Sequence, residues 1–221
     1  MSFEYPAASQ GPWPAAPKGI ILHGTRGGNP NRRNEFLGTV RWATNNPDGL
    51  GWHVTIGDGY YAEHLPITEW GWHAREHSRQ YIGVEFVQPT VSDAITDDQV
   101  AAFARWYRET VAPAFPHLGR DPLMPAHSEM KSGIADGKTD PYPKGDARNE
   151  ALRQRLYAAL AEPTPVVWNV GPGVAAAMAR HNDTPIGHEQ YLVNGLSTTP
   201  GRDALYLYEA ASDTVYRAPK A

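Results

Sequence analysis

Residues 81–86 read YIGVEF, and their strict alternation decides the fold. Successive side chains of a strand point to opposite faces, so Ile82, Val84 and Phe86 share one face while Tyr81, Gly83 and Glu85 share the other. The aliphatic face predicts burial in a core, and the opposite face presents a carboxylate. Upstream, GIILH at 19–23 is an apolar run with the character of a buried strand, and it ends at His23 before Gly24 and Thr25. Downstream, 123–126 reads as one more strand leading into His127. Between them, 52–56 and 60–64 form a hairpin through Gly57, Asp58 and Gly59.

Helical spacing fills the intervals. Phe36, Leu37 and Val40 predict a short helix over 34–43, after a glycine- and asparagine-rich loop, RGGNPNRRN, that lacks the spacing of a nucleotide motif. Thr96 and Gln99 make a capping box, followed by the stripe Val100, Phe103, Ala104, Tyr107 and Val111, which Pro113 is expected to stop. A further helix over 147–161 turns Leu152, Leu156 and Leu160 inward. Strands and helices in alternation predict an α/β fold, a mixed sheet flanked by helices.

The organisation expected around that fold is an extended proline- and alanine-rich arm at 1–17, a main domain at 18–162, and a proline- and glycine-rich linker at 163–173. A small C-terminal appendage at 174–221 follows, with a helical run over 174–181 and a hairpin from 204–208 and 214–217.

A net charge of -4 gives no broad cationic surface, so neither nucleic acid nor acidic lipid is an expected partner. No stretch approaches the ~20 apolar residues of a membrane span, and the N-terminus has neither the basic start nor the apolar run of a secretory signal. Synthesis in a cytoplasm, without a signal peptide, is the expectation. The chain has no cysteine, so any metal site must be built from nitrogen and oxygen.

Nine histidines are present. His23 closes the first strand, His127 follows the last, and Asp140 lies in the loop segment GKTDPYP. Two imidazoles and a carboxylate would leave a tetrahedral zinc with one position open, the pattern of a catalytic site. Spacing alone favours the ordinary reading, a hydrogen-bonded core histidine at a strand end.

The ordered fragments ILHGT, GWHVTIGDG, WGWHA, YIGVEF, PAHSEM and GKTDPYP resemble the type 2 N-acetylmuramoyl-L-alanine amidases, a family that includes phage endolysins, muropeptide amidases and peptidoglycan recognition proteins. The resemblance covers about residues 18–160. It implies Zn2+ held by His23, His127 and Asp140, with Glu85 as general base and Lys138 stabilising the oxyanion. It places His73 along the substrate groove, and Trp52 where many relatives carry a tyrosine. The interval from His127 to Asp140 is longer than the family pattern, which leaves Asp136 as the competing ligand. Glu85 has a structural alternative in pairing with Arg79. His53 either supports the site from behind or is simply buried, while His64, His77, His117, His181 and His188 are expected at the surface.

The implied activity is hydrolysis of the lactyl-amide bond between N-acetylmuramic acid and L-alanine in peptidoglycan. An endolysin for host lysis fits, acting as a monomer at the wall after release, with 174–221 as a candidate wall-binding module. The alternatives are a non-catalytic recognition module and a cytoplasmic muropeptide-recycling amidase.

Overall fold

Five short strands make the mixed sheet of the N-terminal unit: β1 (Ser2–Glu4), β2 (Gly19–Gly24), β3 (Val54–Ile56), β4 (Tyr61–Glu63) and β5 (Tyr81–Phe86), in the order β1-β4-β3-β5-β2. The computed structural model describes residues 2–4, 8–46 and 49–161, together with five strands of a second unit. The chain divides into Met1–Glu162 and Pro163–Ala221.

β5 sits between β2 and β3 and runs parallel to both, while β4 turns back antiparallel to β3. Strands covered on both faces can be apolar throughout, and every residue of β2 is buried. Ile82, Val84 and Phe86 are fully buried beside Ile20, Leu22, Val54 and Ile56, as the alternation predicts. Each such side chain removed from water contributes about 1.5–3 kcal/mol.

Helices cover both faces. α1 (Arg32–Asn45) starts two residues before its predicted beginning, because the Asn31 side chain accepts from the Asn34 N–H at 3.0 Å and caps it. Its inward residues are Phe36, Val40 and Ala43; Leu37, expected in the stripe, is exposed. Phe36 and Val40 pack on Ala62, which lies in register with Thr55 and so on the Glu85 face. The opposite face is covered by α2 (Asp97–Trp106) and the later α5 (Ala147–Ala161), through Phe103, Trp106, Leu152 and Leu156.

The Thr96–Gln99 capping box is formed in both directions. Pro113 does not stop the helix as expected. The chain widens into a π-helical turn at Tyr107–Val111 and continues as α3 (Ala112–Ala114), where the proline stands in the first turn and needs no N–H partner. Nor do residues 123–126 form a full strand. Ile20 and Leu22 donate to the carbonyls of Leu123 and Pro125 at 2.8 and 3.0 Å, but only isolated bridges form, since Pro122 and Pro125 have no N–H to donate. A turn at His127–Glu129 and α4 (Lys131–Ala135) then lead towards the Asp140 loop.

The arm is more closely attached than expected. β1 pairs with β4, and Trp13 donates its indole N–H to the Ile67 carbonyl at 2.7 Å while stacking on His53 at 5.3 Å. The second unit is an antiparallel sheet of β6 (Val166–Asn169), β7 (Thr184–Pro185), β8 (Gln190–Asn194), β9 (Leu205–Glu209) and β10 (Thr214–Arg217), in the order β6-β10-β9-β8-β7. β6 occupies the stretch read as linker, and the helical run over 174–181 lies outside the described residues.

His53 extends the β3–β5 pairing with its ring. Its Nδ1 accepts from the Gly83 N–H and its Nε2–H donates to the Glu69 carbonyl, both at 3.0 Å, an arrangement that needs a neutral imidazole. Burial pushes the His53 pKa from 6.5 down to about 4. The unfolded chain therefore binds a proton that folded His53 refuses, so this contribution is complete above pH 6.5 and is lost as pH falls towards 4, by an amount on the order of 3 kcal/mol. Urea midpoints measured from pH 8 to 4 should fall through that window, and His53→Gln should make the fall shallower. An identical slope in the variant would remove His53 as a cause.

Candidate metal centre and active-site cleft

His23 and Glu85 are the penultimate residues of β2 and β5 and stand side by side in the parallel register, with Thr55 of β3 next to Glu85. Open α/β sheets place their sites beyond the carboxyl ends of the strands. Here that end opens into a cleft of about 720 Å³ lined by His23, His73, Glu85, His127, Lys138 and Asp140, among others.

His23, His127 and Asp140 are buried, with one candidate ligand atom from each lying within 4.8 Å of the others. Asp140 Oδ2 is 3.2 Å from His23 Nδ1 and 3.1 Å from His127 Nδ1. Tetrahedral coordination with bonds of ~2.0–2.1 Å sets neighbouring donors roughly 3.3 Å apart, so these separations fit such an ion.

The hydrogen-bond chain behind His23 specifies its tautomer. The Tyr81 carbonyl can only accept, so His73 Nε2, 2.9 Å away, carries a hydrogen. His73 Nδ1 is then an acceptor, and the His23 Nε2–H at 3.0 Å donates to it. His23 Nδ1 is left with a lone pair facing a carboxylate oxygen. Burial lowers the His23 pKa to about 4, against the opposing pull of the nearby Asp140 carboxylate, and so keeps the ring neutral at pH 7. Two lone pairs at 3.2 Å repel unless a cation lies between them, and a neutral imidazole oriented through its other nitrogen is how histidine binds metal.

Asp140 itself is drawn far below the usual carboxylate range: burial would raise its pKa, but its close contacts with the His127 and His23 rings outweigh it. Its loop is fastened by Ser128, whose N–H donates to the Asp140 carbonyl at 3.0 Å, and by Arg26 Nη2, which donates to the carbonyls of Thr139 and Pro141 at 3.0 and 2.5 Å. Asp136, the competing ligand by sequence, is absent from the cluster. It forms a two-point pair with Arg75 at 2.6 and 2.7 Å.

The Glu85 carboxyl makes no hydrogen bond among the described residues, and burial followed by the Asp140 charge raises its pKa well above the usual value, against the opposing Lys138 and Arg26. The alternative partner, Arg79, lies over the Trp70 ring instead. Lys138 is exposed on the cleft wall. Trp52 is buried, its indole N–H donating to Thr55 Oγ1 at 2.8 Å, and it stacks on Trp42. His64, expected at the surface, is buried and bonded to the same Thr55 hydroxyl at 2.8 Å.

Among the cleft residues that escaped the sequence reading are Arg26, Glu35 and Trp42. The Glu35 carboxylate accepts from Thr25 Oγ1, Gly27 N–H and Asn29 N–H at 2.6, 2.7 and 3.1 Å, so the loop amides that would suit a phosphate are already occupied by the chain's own anion. Its signal was a carboxylate one turn into the helix that follows a glycine-rich loop.

A two-histidine, one-carboxylate cluster opening into a cleft, rather than sealed in a core, has the character of a hydrolytic centre and not of a purely structural one. The chain belongs to the N-acetylmuramoyl-L-alanine amidase family, whose pattern it matches over residues 13–143, and it is an amidase by that membership. Among solved structures, a mutant endolysin from Bacillus subtilis superposes with a TM-score of 0.50 at 20% identity, covering 71% of this chain and 98% of the other. The N-acetylmuramoyl-L-alanine amidase LysC from Clostridium intestinale URNW gives 0.48 at 17%, covering 71% and 97%. At such identities the likeness concerns the fold alone. No curated protein matches.

Gly83 makes room for His73: a Cβ built there would lie 2.8 Å from the imidazole Cγ. Gly83→Ala should displace the ring that orients His23 and weaken Zn2+ affinity about 10- to 100-fold, as read by competition with a chromogenic chelator. Unchanged affinity would show that His73 does not orient the ligand.

Proposed function

We propose that this chain is a zinc-dependent amidase cleaving the lactyl-amide bond between N-acetylmuramic acid and L-alanine in bacterial peptidoglycan. The observation that carries the reading is His23 Nδ1 held 3.2 Å from Asp140 Oδ2, with His127 Nδ1 3.1 Å from the same oxygen. His23, His127 and Asp140 would hold the ion. Bound there with a position open, zinc would polarise the amide carbonyl and lower the pKa of water to about 7.

The chain's own groups supply the remaining chemistry. Glu85, in register beside His23 and uncommitted to any other partner, takes the proton from the attacking water and delivers it to the departing L-alanine amine. Its raised proton affinity suits both halves of that transfer. The Lys138 ammonium meets the negative charge that develops on the carbonyl oxygen. His73 keeps the His23 tautomer, and Trp52 forms part of the wall against which the substrate lies. A recognition module that only binds would have no use for an unpaired, half-buried carboxyl beside the cluster.

We read the role as that of an endolysin, a monomer reaching the wall after release, with 163–221 as a wall-binding unit. Among the described residues no helix is long and apolar enough to cross a membrane.

Turbidity of purified wall suspensions should fall with the zinc-loaded protein, stop with chelator and resume on adding Zn2+. Glu85→Gln should cut amide cleavage by about 10²–10⁴ while metal content holds, and Lys138→Met should cost about 2.7–4 kcal/mol in kcat. Chelator-insensitive clearing would overturn the zinc reading. Near-normal rates in Glu85→Gln would remove it as the base.

A further inference from the structure

Asn34, Gly38 and Trp42 succeed one another at intervals of four along α1, and all three line the cleft. At 1.5 Å per residue they span roughly 12 Å of its wall. Gly38 is in the middle of a 14-residue helix, where glycine is unfavourable relative to alanine. Nothing nearby requires it. A Cβ built on Gly38 meets no atom within 4 Å, and its φ is not positive, so neither packing nor backbone geometry excludes a side chain. What the missing side chain preserves is open cleft.

One turn further on, Trp42 is 48% exposed. It is stacked on Trp52 at 5.5 Å between ring centroids and 13° between planes, and Trp52 is itself anchored through Thr55. An aromatic ring this exposed is a recognition surface when it lies in a cleft, and one covered from behind by a second ring is held ready. The neighbouring wall is uncharged apart from Glu35, whose oxygens are already engaged by residues 25–29. The cations of the cleft, Arg26 and Lys138, belong instead to the loops at Asp140.

We infer that α1 forms a sugar subsite, with the bare backbone at Gly38 as its floor and the outer face of Trp42 as a platform for the pyranose ring of N-acetylmuramic acid. This rests on the amidase reading above and adds which half of the substrate lies where. The scissile bond joins an uncharged N-acetylated sugar to a peptide bearing free carboxylates. A pyranose offers an apolar C–H face to an indole, and its amide and hydroxyl groups suit Asn34 and Thr39. The peptide carboxylates suit the exposed Lys138 ammonium.

The test compares two substrates for the zinc-loaded full chain: N-acetylmuramoyl-L-alanyl peptide, and the D-lactyl-L-alanyl peptide that keeps the scissile amide but lacks the ring. Trp42→Ala should lower the kcat/KM ratio of the first over the second about tenfold, through KM, and Trp42→Tyr should restore most of it. Gly38→Leu should lower the same ratio while raising the thermal midpoint by about 2–4 °C. That opposite movement of stability and sugar preference is what a merely structural glycine would not produce. Equal losses on both substrates, or no change in the ratio, would overturn the subsite while leaving the amidase reading intact. A wild-type protein that cleaves neither substrate overturns the amidase reading, and the subsite with it.

Discussion

One carboxylate oxygen, that of Asp140, faces two imidazole nitrogens at 3.1 and 3.2 Å inside the protein. Buried charges are tolerated only when paired or coordinated, so most of what surrounds this contact serves to keep it in place. The three groups come from the end of β2, the turn after residue 126, and a loop ending in a proline. They meet because Leu123 and Pro125 lend carbonyls to β2, which brings the chain carrying His127 alongside the strand carrying His23.

The sheet transmits this requirement to residues that touch no ligand. The alternation in β5 commits Val84 and Phe86 to the core, and the same commitment sends Glu85 towards the cleft, since a slip of one residue would exchange the faces. Gly83 is then left beneath His73, and its lack of a side chain is what lets that ring reach both the Tyr81 carbonyl and His23. The same glycine N–H donates to His53. A single strand thus carries core residues, the carboxyl proposed as the base and the seat for the orienting histidine.

This explains which parts were legible in the sequence. Alternation, the Thr96–Gln99 cap and the leucines of α5 are local signals with local causes, and they placed β5, the start of α2 and α5 within a residue or two of where they lie. The choice between Asp140 and Asp136 was not local. It depends on Arg75 taking Asp136 away to the surface, and Arg75 lies 61 positions earlier. Pro113 misled because a proline's effect depends on the turn it enters, and a π-helical turn upstream let the helix run on. Trp42 gave no signal, since on the helix pattern an exposed tryptophan is indistinguishable from one awaiting a partner. The burial of His64 followed from Thr55, whose hydroxyl serves two side chains at once.

Arg26 shows how the cleft manages its charges. It takes a positive φ of 56° at the start of the loop after β2, and its Nε and Nη1 are buried without hydrogen-bond partners in the structure. Both features are costly. The compensation is positional: its Nη2 fastens the carbonyls on either side of Asp140, and its charge lies near both Asp140 and Glu85. Burial and the Asp140 charge raise the proton affinity of Glu85, while Lys138 and Arg26 lower it. On the proposed reading, these opposed influences act on the one carboxyl that must first accept and then return a proton during amide hydrolysis.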